Sequence, residues 1–524
     1  MANYKGILIG LGVAGALVAG LFGTGVVKLN KESDGEVSSE EEADDDAGDD
    51  EAKSGKRRRG RKGRRGRKGR RGRKSDLESL AYLGEVPLEA STRDLVGVQT
   101  NAPGAYEGFM LANAAGGIRG NATTVREAAL YGSDGKEINR WKSDVPSERR
   151  GWAIARLDPA GYLYAVVTDA AVIKLDWESN VVWMAEGRFH HDLTVAHDGS
   201  IAVLAERRIV VDGPDGPGKK VRLLDHGVVV FDADGAEQEQ VWMHDIFKDD
   251  AVFEAGVRRA IQNRGERVVA EGESDDHGGA IDAFHANSII ILPRDIEGLG
   301  KTGDLLVSLR NMNTVASIDR TTRQVIWQWG NGELYKQHDA TLTGEDDVVL
   351  FDNRHRSENS RAVVVDPRTN AIERTIGGTG ATGTLKFFSR GRGLAESLPN
   401  GNVMVIVSNE GRAFEVNAQD EVLWEFWSPW KDANTRKPIR GSRLQGEVQD
   451  GLRKIAAGQT PAPVSEPGSM KTIAVDLGGE PVPDDEERDD DEDEDAPGQQ
   501  PSEAAQPSDA KPTGQDTPVP PKPQ

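Results

Sequence analysis

One unit recurs along the middle of the chain: a turn, then an apolar strand that ends on tryptophan. It reads YGSDGKEINRW at 131–141, LDWESNVVW at 175–183, FDADGAEQEQVW at 231–242, IDRTTRQVIW at 318–327, VDPRTNAIERT at 365–375 and VNAQDEVLW at 416–424. Six copies are present, the fifth without its tryptophan. Between them lies a second element, a turn leading into an alternating or apolar strand, as in DPAGYLYAVV (158–167), HDGSIAVLAE (197–206), TGDLLVSLRN (302–311), GEDDVVLFDN (344–353) and PNGNVMVIVS (399–408). Asp-Gly and Asn-Gly turns between β-branched and aromatic runs are hairpin signals. Such pairs returning roughly every 40–60 residues predict propeller blades. The fold class is therefore all-β, a six-bladed β-propeller over 77–477; a seventh blade follows only if 97–111 adds one. The tryptophans are core residues on this reading. The longest gap between copies, Trp242 to Trp327, holds DAVFEAGVRRAIQNRGERVV, whose apolar spacing predicts a helical insertion at about 246–280.

The two ends cannot pack. Residues 6–27 form an apolar and glycine stretch flanked by Lys5, Lys28 and Lys31, long enough to span a bilayer. Segment 1–28 is read as an uncleaved membrane anchor, with a cleaved signal as the alternative. Residues 29–76 form a low-complexity stalk, acidic at 32–51 and then basic at 56–74, KRRRGRKGRRGRKGRRGRK. That tract is either a solvated spacer or a contact for anionic lipid or polysaccharide; nucleic acid is a weaker third reading. Residues 478–524 read as a disordered acidic and Pro-rich tail. The net charge of −22 argues against general affinity of the whole chain for nucleic acid, and no specific nucleic-acid partner is expected. There are no cysteines, which excludes disulfides, thiolate nucleophiles and Cys-based metal sites.

Histidines gather at one point of the repeat. His191, His285 and His338 each precede the second element, and Asp192, Asn287 and Asp339 follow them closely. Equivalent positions in successive blades form a ring about the axis, so three imidazoles there face one space. In the place of a fourth histidine stand Arg390 and Arg392, and Arg310 ends the strand LLVSLR. Arginine forks match tetrahedral oxyanions, so the funnel suits a sulfate, phosphate or carboxylate. His197, His226, His244, His277 and His355 are read as surface or structural, and Arg361 as a blade-stabilising residue. No metal-ligand cluster stands out, and neither metal nor cofactor is expected.

The stretches FHANS, SLRNMNTVASID, VIWQWG, QHDATL, VVLFDN and SLPNGNVMVIVSNEGRAFEV, followed by VLWEF, resemble the bacterial arylsulfate sulfotransferases. The resemblance runs from about Gly97 to Pro429 and is most specific over Phe284–Asn353. It implies a propeller working outside the cytoplasmic membrane without a nucleotide sulfate donor; together with the anchor read at 1–28, this gives an inner-membrane protein whose propeller faces the periplasm. It also implies ping-pong transfer of a sulfuryl group from an aryl sulfate to a phenol through a sulfated histidine. By resemblance the nucleophile falls on His338, while His285 and Arg310 hold sulfuryl oxygens. His191 is the remaining catalytic histidine, a role that His190 also contends for. His190, Asn287, Asn313 and Arg392 are the candidates for substrate contact. The rivals are a non-catalytic envelope propeller that binds or assembles, and a quinone-dependent dehydrogenase, which the count of six units disfavours.

Overall fold

The computed structural model describes residues 86–87 and 91–480, apart from 116–124, 147–150, 215, 217–218, 265–279, 355–356, 379–384 and 462–469. Six antiparallel sheets make the propeller. Blade two runs Trp152–Leu157, Leu163–Val167, Ala171–Leu175 and Val181–Glu186 from the axis outward, and Lys471–Ala474 joins its outer edge in parallel. Blade three is Phe189–Val195, Ile201–Asp212, Lys220–Phe231 and Glu237–Trp242; blade four is Ala286–Ile291, Leu305–Leu309, Thr314–Ile318 and Val325–Trp329. Blade five is His338–Leu342, Val348–Asp352, Arg361–Asp366 and Ala371–Gly377.

Two strands from distant parts of the chain close the ring. Blade one takes Met110–Ala114, Glu127–Tyr131 and Glu137–Lys142 from the start, and its innermost strand, Ile439–Arg443, from the end. Blade six takes Leu394–Ser397, Val403–Val407, Arg412–Val416 and Val422–Trp427, and Gly97–Asn101 pairs along its outer edge. Residues 97–111 are thus shared between existing blades and add no seventh.

The second strands of blades two, four, five and six are buried along their whole length. A strand covered on both faces reads as a continuous apolar run, not as an alternation. Successive residues serve different neighbours: Leu111 packs toward blade two, while Met110 and Ala112 pack toward blade six. Among the described residues, six apolar clusters result, one at each interface between blades.

In four blades the recurring tryptophan latches the blade to the next, while Trp242 of blade three bonds Gln240 within its own strand. The latching indole N–H reaches a carbonyl or carboxamide oxygen in the outer turn of the following blade: Trp141 to Asp176 (3.0 Å), Trp183 to Ala233 (3.2 Å), Trp327 to Asn370 (2.8 Å) and Trp424 to Ser133 (2.9 Å). Blade five, which lacks the tryptophan, uses Arg374 to bond Asn417 O and Asp420. Blade three uses Glu239, which receives Arg320 and Arg323 from the turn of blade four. Arg361 bonds Asp352 within blade five, the stabilising role expected of it.

The insertion is helical at Met243–Phe247 and Ala251–Arg264. Phe253 stacks on Phe284, with ring centroids 4.7 Å apart, immediately before His285. A further helix, Gly446–Ala456, follows the ring-closing strand and buries Leu452 against blades one and two. No described helix is long and apolar enough to cross a membrane. The segment expected to be the anchor lies outside the described residues, as do the stalk and the tail beyond residue 480.

Candidate active site

The innermost strands of blades three, four and five each lose register where they pass the axis, between Phe189 and Leu193, Ala286 and Ser288, and His338 and Thr341. His191, His285 and Asp339 take left-handed backbone conformations there, with φ of 54°, 48° and 46°. Bulges re-aim side chains, and left-handed non-glycine residues are costly enough to cluster at functional sites. Buried polar groups then lock the strands together. Asp192 accepts from Ile289 N, Asn287 donates to Gln337 O, and Ser288 accepts from Ala340 N.

His338 is buried and its tautomer is fixed by its neighbours. The Asn353 amide nitrogen donates to Ser389 O (2.9 Å) and Arg392 O (2.6 Å), so its oxygen faces His338. His338 Nδ1 therefore carries the proton and donates it to Asn353 Oδ1 at 2.7 Å. The lone pair is on Nε2, which accepts from the Arg392 backbone N–H at 3.1 Å. Burial, and then the Arg310 charge, hold His338 well below the usual histidine range, so it is neutral at pH 7.

His285 is held by Asp282, which accepts from His285 N (2.8 Å), His285 Nδ1 (2.6 Å) and His226 Nε2 (3.1 Å). Burial would raise Asp282, but the two imidazoles hold it well below the usual carboxylate range. Asp282 stands in a short strand, Ile281–Asp282, that pairs in parallel with Leu223–Leu224 of the long blade-three hairpin. The ring of His191 lies edge-on to that of His285, with centroids 4.8 Å apart, and burial also keeps His191 well below its usual value. Arg310 is buried, bonds Asn311, and its charge bears on both His285 and His338.

The structure therefore brings together His191, His285, Arg310 and His338. Of the residues expected to touch substrate, Asn287 is committed to Gln337 O and Asn313 to Lys336 N (2.9 Å), so both brace the approach to His338. Arg392 reaches His338 through its backbone, and Arg390 is exposed. His190 is buried between His191 and His226.

His226 corrects the sequence reading. It lies within the strand Lys220–Phe231 at 2% exposure, in the histidine cluster, and not in a surface turn. His197 is exposed beside Glu447, as expected, and His244 packs on Phe253. His277 and His355 lie outside the described residues.

Several site residues had no signal at the repeat position. Asp282 belongs to the insertion, Asn353 is one strand removed from His338, and Lys336 donates to Asn311 beside Arg310. Arg440, on the ring-closing strand, donates to His191 O (2.7 Å) and forks onto both oxygens of Asp339 (2.9 and 2.8 Å). Burial still pushes Asp339 up to about 6 and Glu396 up to about 7. The only clue to Arg440 was arginine in the strand left over after the sixth repeat.

Similar solved structures include a protein of unknown function from Bacteroides caccae, at 11% identity and a TM-score of 0.41, covering 64% of this chain and 100% of that one. The Cps50 (Swd1) β-propeller domain from Myceliophteria thermophila is 12% identical with a TM-score of 0.36, covering 67% and 97%. No curated protein matches the chain. Residues 169–429, which hold the three axial histidines and Arg310, match the arylsulfotransferase (ASST) family, and the chain belongs to that family.

Proposed function

We propose that this propeller moves a sulfuryl group from an aryl sulfate to a phenol through a sulfated His338. The observation that carries this reading is the Asn353–His338–Arg392 arrangement, which leaves a neutral imidazole with its lone pair on one defined nitrogen. Nε2 exchanges its hydrogen bond from Arg392 N–H for a bond to sulfur, while the S–O bond to the phenolic oxygen breaks. A covalent intermediate divides one hard displacement into two easier ones.

His285 manages the proton. With Asp282 behind Nδ1, its Nε2 side exchanges a proton with the phenolic oxygen, and Asp282 stabilises the imidazolium form. The anionic ester favours proton uptake at His285 on binding. The departing phenolate takes that proton, and the acceptor phenol returns one as its oxygen attacks sulfur and releases His338. Such acid–base assistance is worth about 10²–10⁴-fold. Arg310 and His191 supply positive charge and N–H groups to the sulfuryl oxygens, where charge spreads in the transition state. No nucleotide takes part in these steps.

The natural setting we infer is the periplasmic face of the inner membrane, with 1–28 as anchor and 56–74 near anionic lipid or polysaccharide. The test of the chemistry is intact-mass and peptide analysis after brief exposure to an aryl sulfate without acceptor. A sulfuryl adduct on the His338 peptide, discharged by phenol and missing in His338→Ala, is the expected result. The Arg392 amide already on Nε2 is what favours the rival binding propeller. With folding verified, no adduct and no released phenol across several donors would establish that rival.

A further inference from the structure

The two halves of the ring differ in what they send to the axis. Blades three, four and five supply His191, His285 and His338, whereas the inner strands of blades one, two and six supply Arg440, Arg156 and Glu396. Each of these arginines meets the aspartate that follows a histidine. Arg156 holds Asp192, next to His191, at 3.0 Å, and Arg440 holds Asp339, next to His338.

The two clamps are not equivalent. Asp192 also accepts from Ile289 N in blade four, so it keeps a partner without Arg156. Among the described residues, the Asp339 carboxylate hydrogen-bonds to Arg440 alone, at 2.9 and 2.8 Å. The other arm of Arg440 donates to His191 O at 2.7 Å. One guanidinium thus joins the bulge that carries His191 to the bulge that carries His338. Both points of attachment, His191 and Asp339, have left-handed backbones. Non-glycine residues hold that conformation only where their surroundings over-determine it.

Stability does not account for this arrangement. Replacing a buried ion pair by apolar side chains of similar volume is often neutral or stabilising. Here burial still pushes Asp339 up to about 6 against the pull of Arg440. The Arg440 Nε–H is also buried without a hydrogen-bond partner among the described residues, which is destabilising. What the guanidinium adds is fixed geometry, planar donors in a rigid fork that a lysine ammonium does not reproduce. We propose that Arg440 is a positioning residue, which sets the separation of His191 and His338 across the axis so that both meet one sulfuryl group. This inference rests on the sulfuryl-transfer reading, in which His338 attacks sulfur while His191 holds its oxygens. Displacing a reacting group by about 1 Å can cost about 10²-fold in rate. Arg440 itself neither gives nor takes a proton.

The test compares the full chain with Arg440→Lys, Arg156→Lys and the double variant Arg440→Met/Asp339→Asn. Asparagine tolerates the left-handed backbone, and the double variant leaves no buried unpaired charge. At pH 8 it should melt above Arg440→Met alone. Sulfation of His338 by 4-nitrophenyl sulfate in a single turnover should nonetheless slow at least ~10²-fold in the double variant and at least ~10-fold in Arg440→Lys. The Kd of the donor should change little, and Arg156→Lys should lose less. A folded double variant sulfated at the wild-type rate would overturn the proposal and leave Arg440 a structural residue. If that variant does not fold, Arg440→Lys, which keeps the charge, decides in the same way. The ring-nitrogen NMR spectrum of histidine-labelled protein gives a readout free of the chemistry. Resonances of His191 and His338 should both move in Arg440→Lys, while those of the exposed His197 stay. If the wild type forms no adduct, the sulfuryl-transfer reading fails by itself. Unmoved His191 and His338 resonances would then overturn this inference as well, and moved ones would uphold the clamp.

Discussion

At the scale of single residues, Asn353 has the most consequence for its size. Its amide nitrogen is committed to two carbonyls, and its oxygen decides which nitrogen of His338 holds the proton. Asn353→Leu strands both carbonyls and frees the tautomer. It should cost about 1–3 kcal/mol of stability and at least ~10²-fold in turnover, with KM for the donor little changed; steady-state kinetics beside a denaturation curve separate the two effects. The pH profile offers a second test. On the proposed mechanism His338 attacks as the neutral imidazole, and its protonation is displaced well below 6.5. Activity should therefore persist as pH falls through 6.5 and decline only at lower pH. An acid limb of kcat/KM centred at 6.5 or above would show that another group limits the reaction. The axial histidines were legible in the sequence because they recur at one position of a repeat. Asn353, Asp282 and Arg440 were not, because pairing and ring closure bring them in from other strands; Arg440 meets Asp339 across 101 residues of chain.

At the scale of elements, the latches explain why the tryptophan recurs and how one blade does without it. The indole needs a carbonyl or carboxamide from the next outer turn, and the guanidinium of Arg374 reaches the same kind of partner in blade six. Trp424→Phe, which keeps the ring and loses the bond to Ser133, should cost about 1 kcal/mol. Trp424→Ala should cost about 3–5 kcal/mol through the cavity as well; urea midpoints of the two variants measure the difference. The blades were readable because turn chemistry and apolar strands repeat. The helix Gly446–Ala456 was not, since only Leu452 of its apolar face stands out as core and it follows no repeat. The helical character of the insertion was readable, but its purpose was not. Phe253 stacks on the residue before His285, so Phe253→Ala should lower turnover at a substrate-independent step even where the melting temperature falls only modestly.

At the scale of the whole molecule, charge is buried around the axis. Arg156 pairs with Asp192, Arg440 pairs with Asp339, and Glu396 accepts from Arg443 N. Burial raises Glu396 to about 7 from 4.5. A carboxyl whose folded value is raised stabilises the fold fully below its unfolded value and loses that contribution as pH climbs through 7. Glu396→Gln should therefore match wild type near pH 4 and exceed it near pH 8, by at most about 3 kcal/mol. Denaturant midpoints at the two pH values test this; a variant less stable at pH 8 would mean that the carboxylate is charged and needed by Arg156 and Arg443.

The ring-closing strand Ile439–Arg443 also sets an order of events in time. Every blade except the first can form its axial strand as it is made, but Arg440 emerges only after blade six. Until then His191 O and Asp339 lack the cation that joins them across the axis. A chain still being synthesised thus has His338 early and a finished funnel last, so that on the proposed mechanism reactivity toward aryl sulfates should be withheld until the ring-closing strand is made.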